Sequence, residues 1–344
     1  MMIIRPIAST DLPALMQLIR TAGVGLTTLP SNEAALALRI EASNASFAGT
    51  AQKADELFLF VLEDSANGSV VGTSGLATAV GLRQAWYSYR VGLAVHASQE
   101  LGVFTETQTL FLTNDHTGHS ELCSLFLDPG YSRDRNGSLL SKSRFLFLAQ
   151  QRQRFSKKLI AELRGLSDEN GQSPFWESLG RRFFSMEFSQ ADYLTGIGKK
   201  SFVAELMPKH PLYTSFLSPE AQSAIGQTHP LTLPARRMLE EEGFRYEGYV
   251  DIFDAGPTVE CDVADVSAVA HSRTFEAVVS RLAPAADAAI YLVANTSLGN
   301  YRAALAPATP VGDRFSLTVE TASALLINPG DEIRAVPLAV GARH

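Results

Sequence analysis

Few residues in this sequence combine a reactive side chain with a setting that suits catalysis, and His229 is the clearest of them. It lies in the stretch Gly-Gln-Thr-His-Pro at residues 226–230, a polar loop stiffened by proline between two segments of helical character. A histidine fixed in such a loop can exchange protons near neutral pH. A single loop histidine is also a common surface or capping residue, so the residues alone leave both interpretations open.

Two other groups of reactive side chains support weaker hypotheses. His116 and His119 lie near Asp115 and Glu121, and imidazole and carboxylate groups are good zinc ligands. Their spacing matches no two-histidine helix motif, so we expect no metal site here and favour a polar loop that faces a substrate. Cys123 lies in an apolar stretch without a neighbouring base, which favours buried packing over a role as nucleophile.

A strand, a loop and a helix in succession could bind an acyl-CoA. Residues 122–128 are apolar and end at Asp128-Pro129, where proline removes a donor from the strand ladder, and they predict a buried central strand. The polar loop 130–137 leads into a helix predicted over residues 138–151. Strand backbone can bind the pantetheine amides, and N–H groups of the loop and helix end can bind the pyrophosphate. An ordinary strand-to-helix connection is the alternative.

The elements around these residues predict a layered α/β fold. Residues 2–4, 57–62, 69–76 and 158–163 are predicted strands, with Asn67-Gly68 as a hairpin turn between the second and third. Residues 174–180 and 234–242 predict helices that end at glycine, and residues 202–206 and 249–253 predict strands. The similarity of residues 175–180 to 237–244 suggests a duplication, although chance similarity explains it equally well. Residues 86–119 carry mixed signals and receive no assignment.

Length and composition limit the class of protein. With 344 residues, 46% of them hydrophobic and 19% charged, the chain is globular and long enough for two or three packed units. A net charge of −7 argues against nucleic acid as a partner and suits a cationic substrate. Two cysteines exclude a disulfide framework. Because we find neither a signal peptide nor a membrane-spanning apolar run, we expect a cytoplasmic protein without a membrane partner.

Three stretches resemble motifs of the GCN5-related N-acetyltransferase superfamily. Residues 132–137, Ser-Arg-Asp-Arg-Asn-Gly, are similar to its acetyl-CoA-binding loop, which reads Gln or Arg, two residues, Gly, one residue, then Gly or Ala. Gly137 fits that pattern, whereas Arg135 stands at its first glycine position. Residues 4–12 and 175–180 resemble flanking motifs of the superfamily in the expected order. The resemblance implies an α/β, acyltransferase-like mixed sheet.

Longer strings closely resemble the arginine N-succinyltransferase family, over about the first 265 residues. These strings are Val-Leu-Glu-Asp at 61–64, Asn-Asp-His-Thr-Gly at 114–118, Ser-Pro-Phe-Trp at 173–176, Ala-Glu-Leu-Met-Pro at 204–208 and Asp-Ile-Phe-Asp at 251–254. The resemblance implies transfer of a succinyl group from succinyl-CoA to the α-amino group of L-arginine, as a step of arginine catabolism. Succinyl-CoA is then a co-substrate, and no permanently bound cofactor is expected.

The same resemblance assigns roles to individual residues. It makes His229 the general acid that protonates the departing thiolate, and it makes Leu125 a contact of succinyl-CoA, through its backbone as the chemistry of the strand suggests. We add Leu127 of the same strand and Gly137 of the loop to the predicted acyl-CoA site. No residue is predicted to bind a metal.

The expected organisation is a degenerate tandem pair followed by a small β-rich unit. Residues 1–195 would form the acyl-CoA-binding half, residues 196–264 a second acyltransferase-like half, and residues 265–344 the C-terminal unit, where runs 289–293 and 315–319 and a turn at 328–330 suggest strands. Two alternatives stay open. The chain could be a non-catalytic or co-dependent subunit of a hetero-oligomeric succinyltransferase, or it could act on ornithine. In each case we expect a homo-oligomer or a hetero-oligomer with a paralogous subunit.

Overall fold

A computed structural model describes residues 1–22, 29, 32–168, 171–188, 190–191, 194 and 205–338. The chain forms two compact units, and neither is continuous in sequence. Unit 1 takes residues 1–79, 120–157 and 262–344, and unit 2 takes residues 80–119 and 158–261. The sequence predicted three consecutive segments, with boundaries after residues 195 and 264. That division stays a prediction.

The strands and helices have the following bounds. The strands are β1 (Met2–Pro6), β2 (Leu57–Asp64), β3 (Ser69–Ala77), β4 (Ser88–Ser98), β5 (Val103–Thr113), β6 (Ser120–Leu127), β7 (Lys158–Glu162), β8 (Leu212–Tyr213), β9 (Arg245–Val250), β10 (Pro257–Asp262), β11 (Arg273–Ser280), β12 (Ala289–Asn295), β13 (Ala303–Ala308), β14 (Arg314–Thr318) and β15 (Glu332–Pro337). The helices are α1 (Leu12–Ala22), α2 (Glu33–Phe47), α3 (Asn136–Gln150), α4 (Arg181–Phe184), α5 (Pro219–Ala224), α6 (Leu233–Glu241), α7 (Ser267–His271) and α8 (Val319–Ala324).

Unit 1 contains a mixed sheet in the order β14-β11-β15-β12-β13-β1-β2-β3-β6. Its pairs are antiparallel except β11 with β14, which is parallel. Helix α3 is buried on most of its circumference, as a helix must be when it carries apolar residues on nearly every side. Phe147 of α3 packs edge-on against Phe60 of β2 and against Tyr301, and the Tyr301 hydroxyl donates to the Ser143 carbonyl over 2.7 Å. The core of unit 1 thus holds α3 firmly in place.

Unit 2 contains a second sheet, in the order β7-β10-β9-β4-β5-β8. Its core includes Tyr89, Phe175, Trp176 and Val250, all with no exposed surface. Trp176 begins a π-helical turn, Trp176–Gly180, that precedes α4. A Cβ atom at Gly180 would lie 2.2 Å from the indole ring, so glycine at that position is required for the packing of Trp176.

The structure confirms a mixed α/β fold and most predicted strands. Residues 2–4, 57–62 and 69–76 lie in β1, β2 and β3, residues 158–162 of the predicted strand 158–163 form β7, and residues 122–127 lie in β6. Gly68 has the positive φ of 73° that the predicted hairpin turn requires. Runs 289–293 and 315–318 lie in β12 and β14. Among the described residues, no helix combines the length and apolar character needed to cross a bilayer.

Three local predictions need correction, and one stretch without a prediction receives its assignment. Gly137 lies in the first turn of α3 and not in a loop, because the helix begins two residues earlier than predicted, at Asn136. Residues 251–253 form a turn after β9, because the Asp251 carboxylate accepts the N–H groups of Phe253 and Asp254 and bends the chain. Of the predicted strand 202–206, residues 202–204 lie outside the described residues, and residues 205–206 are helical. The unassigned stretch 86–119 forms the long hairpin of β4 and β5.

Candidate active site

The strand β6 carries a β-bulge immediately before Leu125. In its pairing with β3, Thr73 is opposite Phe126 and Gly75 is opposite Cys123, so Ser74 faces two residues, Ser124 and Leu125. Ser124 has a φ of 55°, which L-residues rarely adopt in a strand. A bulge interrupts the ladder and redirects the backbone locally. The structure therefore gives the predicted contact Leu125 a strand backbone that departs from regular pairing at that point.

Leu127 and Gly137, which were predicted to act together, are neighbours in unit 1. A Cβ atom at Gly137 would lie 3.9 Å from Cδ2 of Leu127, which is an ordinary contact distance. Behind them, a Cβ atom at Gly72 of β3 would lie 2.9 Å from Cδ2 of Leu140 and 3.0 Å from the Phe126 carbonyl. The absence of a side chain at Gly72 therefore allows α3 to pack closely on the sheet, which brings the first turn of α3 beside the end of β6.

The loop before α3 adopts an unusual backbone conformation. Asp134 and Arg135 have φ angles of 53° and 64°, both in the left-handed region that glycine adopts most easily. Arg135 stands at the first glycine position of the acyl-CoA loop pattern, so the sequence departs from the pattern while the backbone keeps the conformation that glycine favours. The side-chain amide of Asn136 donates to the Tyr131 carbonyl over 3.1 Å and closes the loop.

The N-terminus of α3 provides a setting for an anion. The first N–H groups of any helix lack partners within the helix and carry a partial positive charge, and α3 is 15 residues long. The exposed Arg133 side chain lies just before the helix begins, with its Nε 3.9 Å from the Asp134 carboxylate. Phosphate groups bind at helix ends of this kind.

His229 lies in unit 2 and is held by its backbone and by its ring. Its N–H donates to the Arg164 carbonyl over 2.8 Å, just beyond the end of β7, and its Nδ1 accepts the Leu231 N–H over 3.2 Å. Because Nδ1 accepts a hydrogen bond, the neutral ring carries its hydrogen on Nε2. Burial lowers the pKa of His229, and the nearby Arg164 lowers it further. A lowered pKa favours the neutral ring, which offers an Nε2–H donor.

A second histidine, His116, lies at the centre of a buried polar network in unit 2. It is 2% exposed, with Nδ1 3.2 Å from the Ser88 hydroxyl and Nε2 3.5 Å from the Glu260 carboxylate. Lys158 donates to the same carboxylate over 2.8 Å. The hydrogen bonds from His116 and Lys158 lower the pKa of Glu260 to about 2. Sequence spacing could not reveal this network, because Ser88, Lys158 and Glu260 come from distant strands.

The other reactive groups near His116 are accounted for by packing and hydrogen bonding. The Tyr249 hydroxyl donates to the Asp115 carboxylate over 2.8 Å, and the rings of His116 and His119 lie 5.6 Å apart. Within the described residues, no cluster of three or more His, Cys, Asp or Glu side chains could hold a metal ion. The prediction that this loop faces a substrate stays a prediction.

Cys123 is a buried packing residue of unit 1. Burial raises the pKa of its thiol to about 12, so the thiolate that nucleophilic attack requires is not populated at neutral pH. The structure thus confirms the preference for packing over an acyl-enzyme role.

Comparison with known proteins identifies two matching family models. Residues 2–268 match the arginine N-succinyltransferase beta subunit, and residues 275–337 match the C-terminal domain of that same subunit. The two segments together cover most of both compact units.

Individual relatives match along the whole chain. Proteins named arginine N-succinyltransferase from Escherichia coli (strain 55989 / EAEC) and Enterobacter sp. (strain 638) are each 54% identical over 338 residues, which is 98% of this chain and 98% of theirs. The solved structure of subunit AI of arginine/ornithine succinyltransferase from Pseudomonas aeruginosa is 33% identical, with a TM-score of 0.90 over 99% of both chains.

Proposed function

This chain belongs to the arginine N-succinyltransferase family, and from that premise we propose that it transfers the succinyl group of succinyl-CoA to the α-amino group of L-arginine in arginine catabolism. The observation that carries the proposal is the 54% identity to relatives of that name over 98% of both chains. A CoA thioester is the co-substrate of such an acyltransferase.

The reaction makes one bond and breaks one. The α-amino nitrogen attacks the thioester carbonyl, the new C–N bond forms, the C–S bond breaks, and the proton that the amine loses is balanced by the proton that the thiolate gains. We assign the thioester to unit 1, where the backbone at Leu125 and Leu127 binds the pantetheine amides. The first turn of α3, with Gly137, binds the pyrophosphate. The bulge at Ser124 and the closeness of Gly137 to Leu127 support this assignment.

We assign the stabilisation of the departing thiolate to His229. Its Nε2–H donates a hydrogen bond to the sulfur and stabilises the negative charge there as the C–S bond breaks, and the proton lost by the amine passes through solvent to the sulfur, so the ring stays neutral. The hydrogen bond from Leu231 to Nδ1 supports this role, because it keeps the hydrogen of the neutral ring on Nε2. Catalysis by a positioned donor of this kind contributes about 10²-fold to 10⁴-fold in rate.

We place the reaction in the cytoplasm. Cys123 and Cys261 are both buried and are not joined in a disulfide, which suits a reducing compartment.

Release of free thiol from succinyl-CoA by the purified chain tests the proposal. We expect release with L-arginine as acceptor, and mass spectrometry should locate the succinyl group on the α-amino nitrogen. Acetyl-CoA replaces succinyl-CoA as the control for donor choice. Absence of thiol release with every basic amino acid, from a folded chain assayed both alone and with its paralogue, would overturn the proposal.

Ornithine is the second candidate acceptor, because the Pseudomonas aeruginosa relative is named arginine/ornithine succinyltransferase. Including ornithine in the same assay compares the two acceptors by kcat/KM. That relative is also described as a subunit, which keeps open an oligomer with a paralogous partner. Activity that appears only when a paralogue is added would establish a co-dependent subunit, whereas full activity of the chain alone would exclude it.

A further inference from the structure

We infer that Asp254 is a positioning residue for His229, because its carboxylate fixes the two backbone carbonyls that hold the histidine loop. The consequence for turnover rests on the proposed role of His229. The geometric part of the inference does not depend on that role, and the two parts can fail separately.

The histidine loop, residues 226–229, is anchored to unit 2 at both of its ends. At the first end, the Gly226 N–H donates to the Ala255 carbonyl over 2.9 Å. At the second end, the His229 N–H donates to the Arg164 carbonyl over 2.8 Å. The position of the imidazole ring therefore depends on where these two carbonyl oxygens lie.

Asp254 holds the residue next to each of these carbonyls. One carboxylate oxygen accepts the Gly165 N–H over 2.7 Å, and the other accepts the Gly256 N–H over 2.8 Å. Gly165 follows Arg164 in the chain, and Gly256 follows Ala255. A single side chain thus links the two peptide groups to which the histidine loop is hydrogen-bonded.

The backbone segments that Asp254 joins are in direct contact, so a shift in one must move the other. A Cβ atom at Gly165 would lie 2.4 Å from the Asp254 carbonyl, and a Cβ atom at Gly256 would lie 2.1 Å from the Leu163 carbonyl. Ala255, which lies between Asp254 and Gly256 in the chain, adopts a left-handed φ of 55°. The segments can approach this closely only because glycine occupies both positions.

A carboxylate is the side chain that this arrangement needs. Two N–H donors arrive from two directions, and a carboxylate offers an acceptor oxygen to each, whereas an amide of the same shape offers one acceptor and one donor. Asp254 is 7% exposed, and burial together with the nearby Asp251 raises its pKa above the ordinary value. A buried carboxylate is costly, so its presence at this point fits a role in placement better than a gain in stability.

The first test replaces Asp254 by Asn in the full chain and measures steady-state kinetics. We expect kcat to fall about tenfold to a hundredfold, as a shift of about 1 Å in a catalytic group does, with KM for succinyl-CoA unchanged. The matched control is Asn295→Asp in unit 1. Asn295 is similarly buried, and its side-chain amide donates to the Asn300 and Leu325 carbonyls over 2.9 Å each. Asn295→Asp replaces this buried amide by a carboxylate, which is the reverse of the exchange in Asp254→Asn. An equal fall in kcat for both variants would overturn the inference.

The second test observes the histidine itself. In full-length protein with ¹⁵N-labelled histidine, the His229 ring is assigned by comparison with His229→Gln, and its titration is followed in the parent and in Asp254→Asn. The pKa of His229 is lowered by burial and by Arg164, so release of the loop should move the midpoint up towards the ordinary value of about 6.5.

The two tests separate the possible failures. An unchanged His229 titration in a folded but less stable Asp254→Asn protein would make Asp254 a purely structural residue and would overturn the inference. If the titration shifts while His229→Ala retains full activity, the positioning of His229 by Asp254 stands and the catalytic role of His229 fails.

Discussion

The segment from β6 to α3 and the loop that carries His229 are constructed in opposite ways. The first consists of backbone features: a bulge at Ser124, left-handed residues before α3, and glycines at 72 and 137. The second depends on side chains, with a carboxylate from Asp254 and a histidine ring held through Nδ1. A site made from backbone tolerates a change such as Arg135 at a glycine position, whereas a site made from side chains loses its function when one of them changes.

The largest effect that would test this contrast is the loss of the His229 ring. His229→Ala should lower kcat by about 10²-fold to 10⁴-fold, because the departing thiolate loses its hydrogen-bond donor, while KM for succinyl-CoA stays near its original value. Thiol release measures both constants. His96→Ala, an exposed histidine of the same unit, is the control. Retention of more than about a tenth of the turnover by His229→Ala would mean that unit 2 does not supply this donor.

The next effect concerns stability. Gly256→Ala should destabilise the protein by about 3 kcal/mol or more, because its Cβ atom would lie 2.1 Å from the Leu163 carbonyl and the backbone must separate. Gly102→Ala is the control in the same unit, since Gly102 has a φ of 62° but nothing within 4 Å of a Cβ atom, and strain alone should cost about 1 kcal/mol. Urea denaturation compares the two. Equal losses of unfolding free energy in the two variants would show that moving the Gly256 backbone away from the Leu163 carbonyl costs no stability.

Acid should destabilise unit 2 by protonating the Glu260 carboxylate. Hydrogen bonds from His116 and Lys158 hold the pKa of Glu260 at about 2, below its ordinary value of 4.5. A lowered pKa means that the ionised carboxylate stabilises the folded state fully above pH 4.5, and that this stabilisation is lost as the pH falls towards 2. Urea midpoints measured across that range should fall less steeply for Glu260→Gln than for the parent chain. Identical slopes would contradict the contribution of Glu260.

The smallest expected effect concerns Gly137 in the first turn of α3, where a substitution should raise stability and weaken the binding of succinyl-CoA. Gly137→Ala should stabilise α3 by about 0.5–1 kcal/mol, because its Cβ atom meets only Leu127, at 3.9 Å. The added methyl group should raise KM for succinyl-CoA a few-fold by hindering approach to the helix end. Thermal denaturation and steady-state kinetics measure the two quantities. A more stable variant with unchanged KM would remove Gly137 from the acyl-CoA site.

How far the sequence predicts the fold depends on whether a feature is local. The strands β1, β2 and β3 and the turn at Gly68 follow from runs of apolar residues and one dipeptide. The start of α3 does not, because Arg135 precedes it without a side-chain capping bond. The hairpin of β4 and β5 was not predicted because its sequence, rich in Tyr, His and Thr, carries mixed signals, and its apolar residues Leu93, Val95 and Phe104 are exposed rather than part of a core.

The same distinction applies to the candidate site. His229 could be selected because proline and polar neighbours mark its loop. The support for His229 could not be predicted, because Arg164 and Asp254 approach it from segments far away in sequence. Residues 249–253 were predicted as a strand because Ile252 and Phe253 are apolar, whereas only residues 249–250 belong to β9 and the turn that follows is made by the carboxylates of Asp251 and Asp254.

The pairing of β1 with β13 has a consequence for the synthesis of this protein. Ile4 lies opposite Ala303 in the sheet of unit 1. One edge of β1 therefore cannot pair with β13 until nearly 300 further residues have left the ribosome. At about 5–20 residues per second, that delay lasts roughly 15–60 s. During this interval β1 presents the unsatisfied backbone groups of an open strand edge to other chains. A nascent chain of this kind should depend on chaperones until β13 arrives.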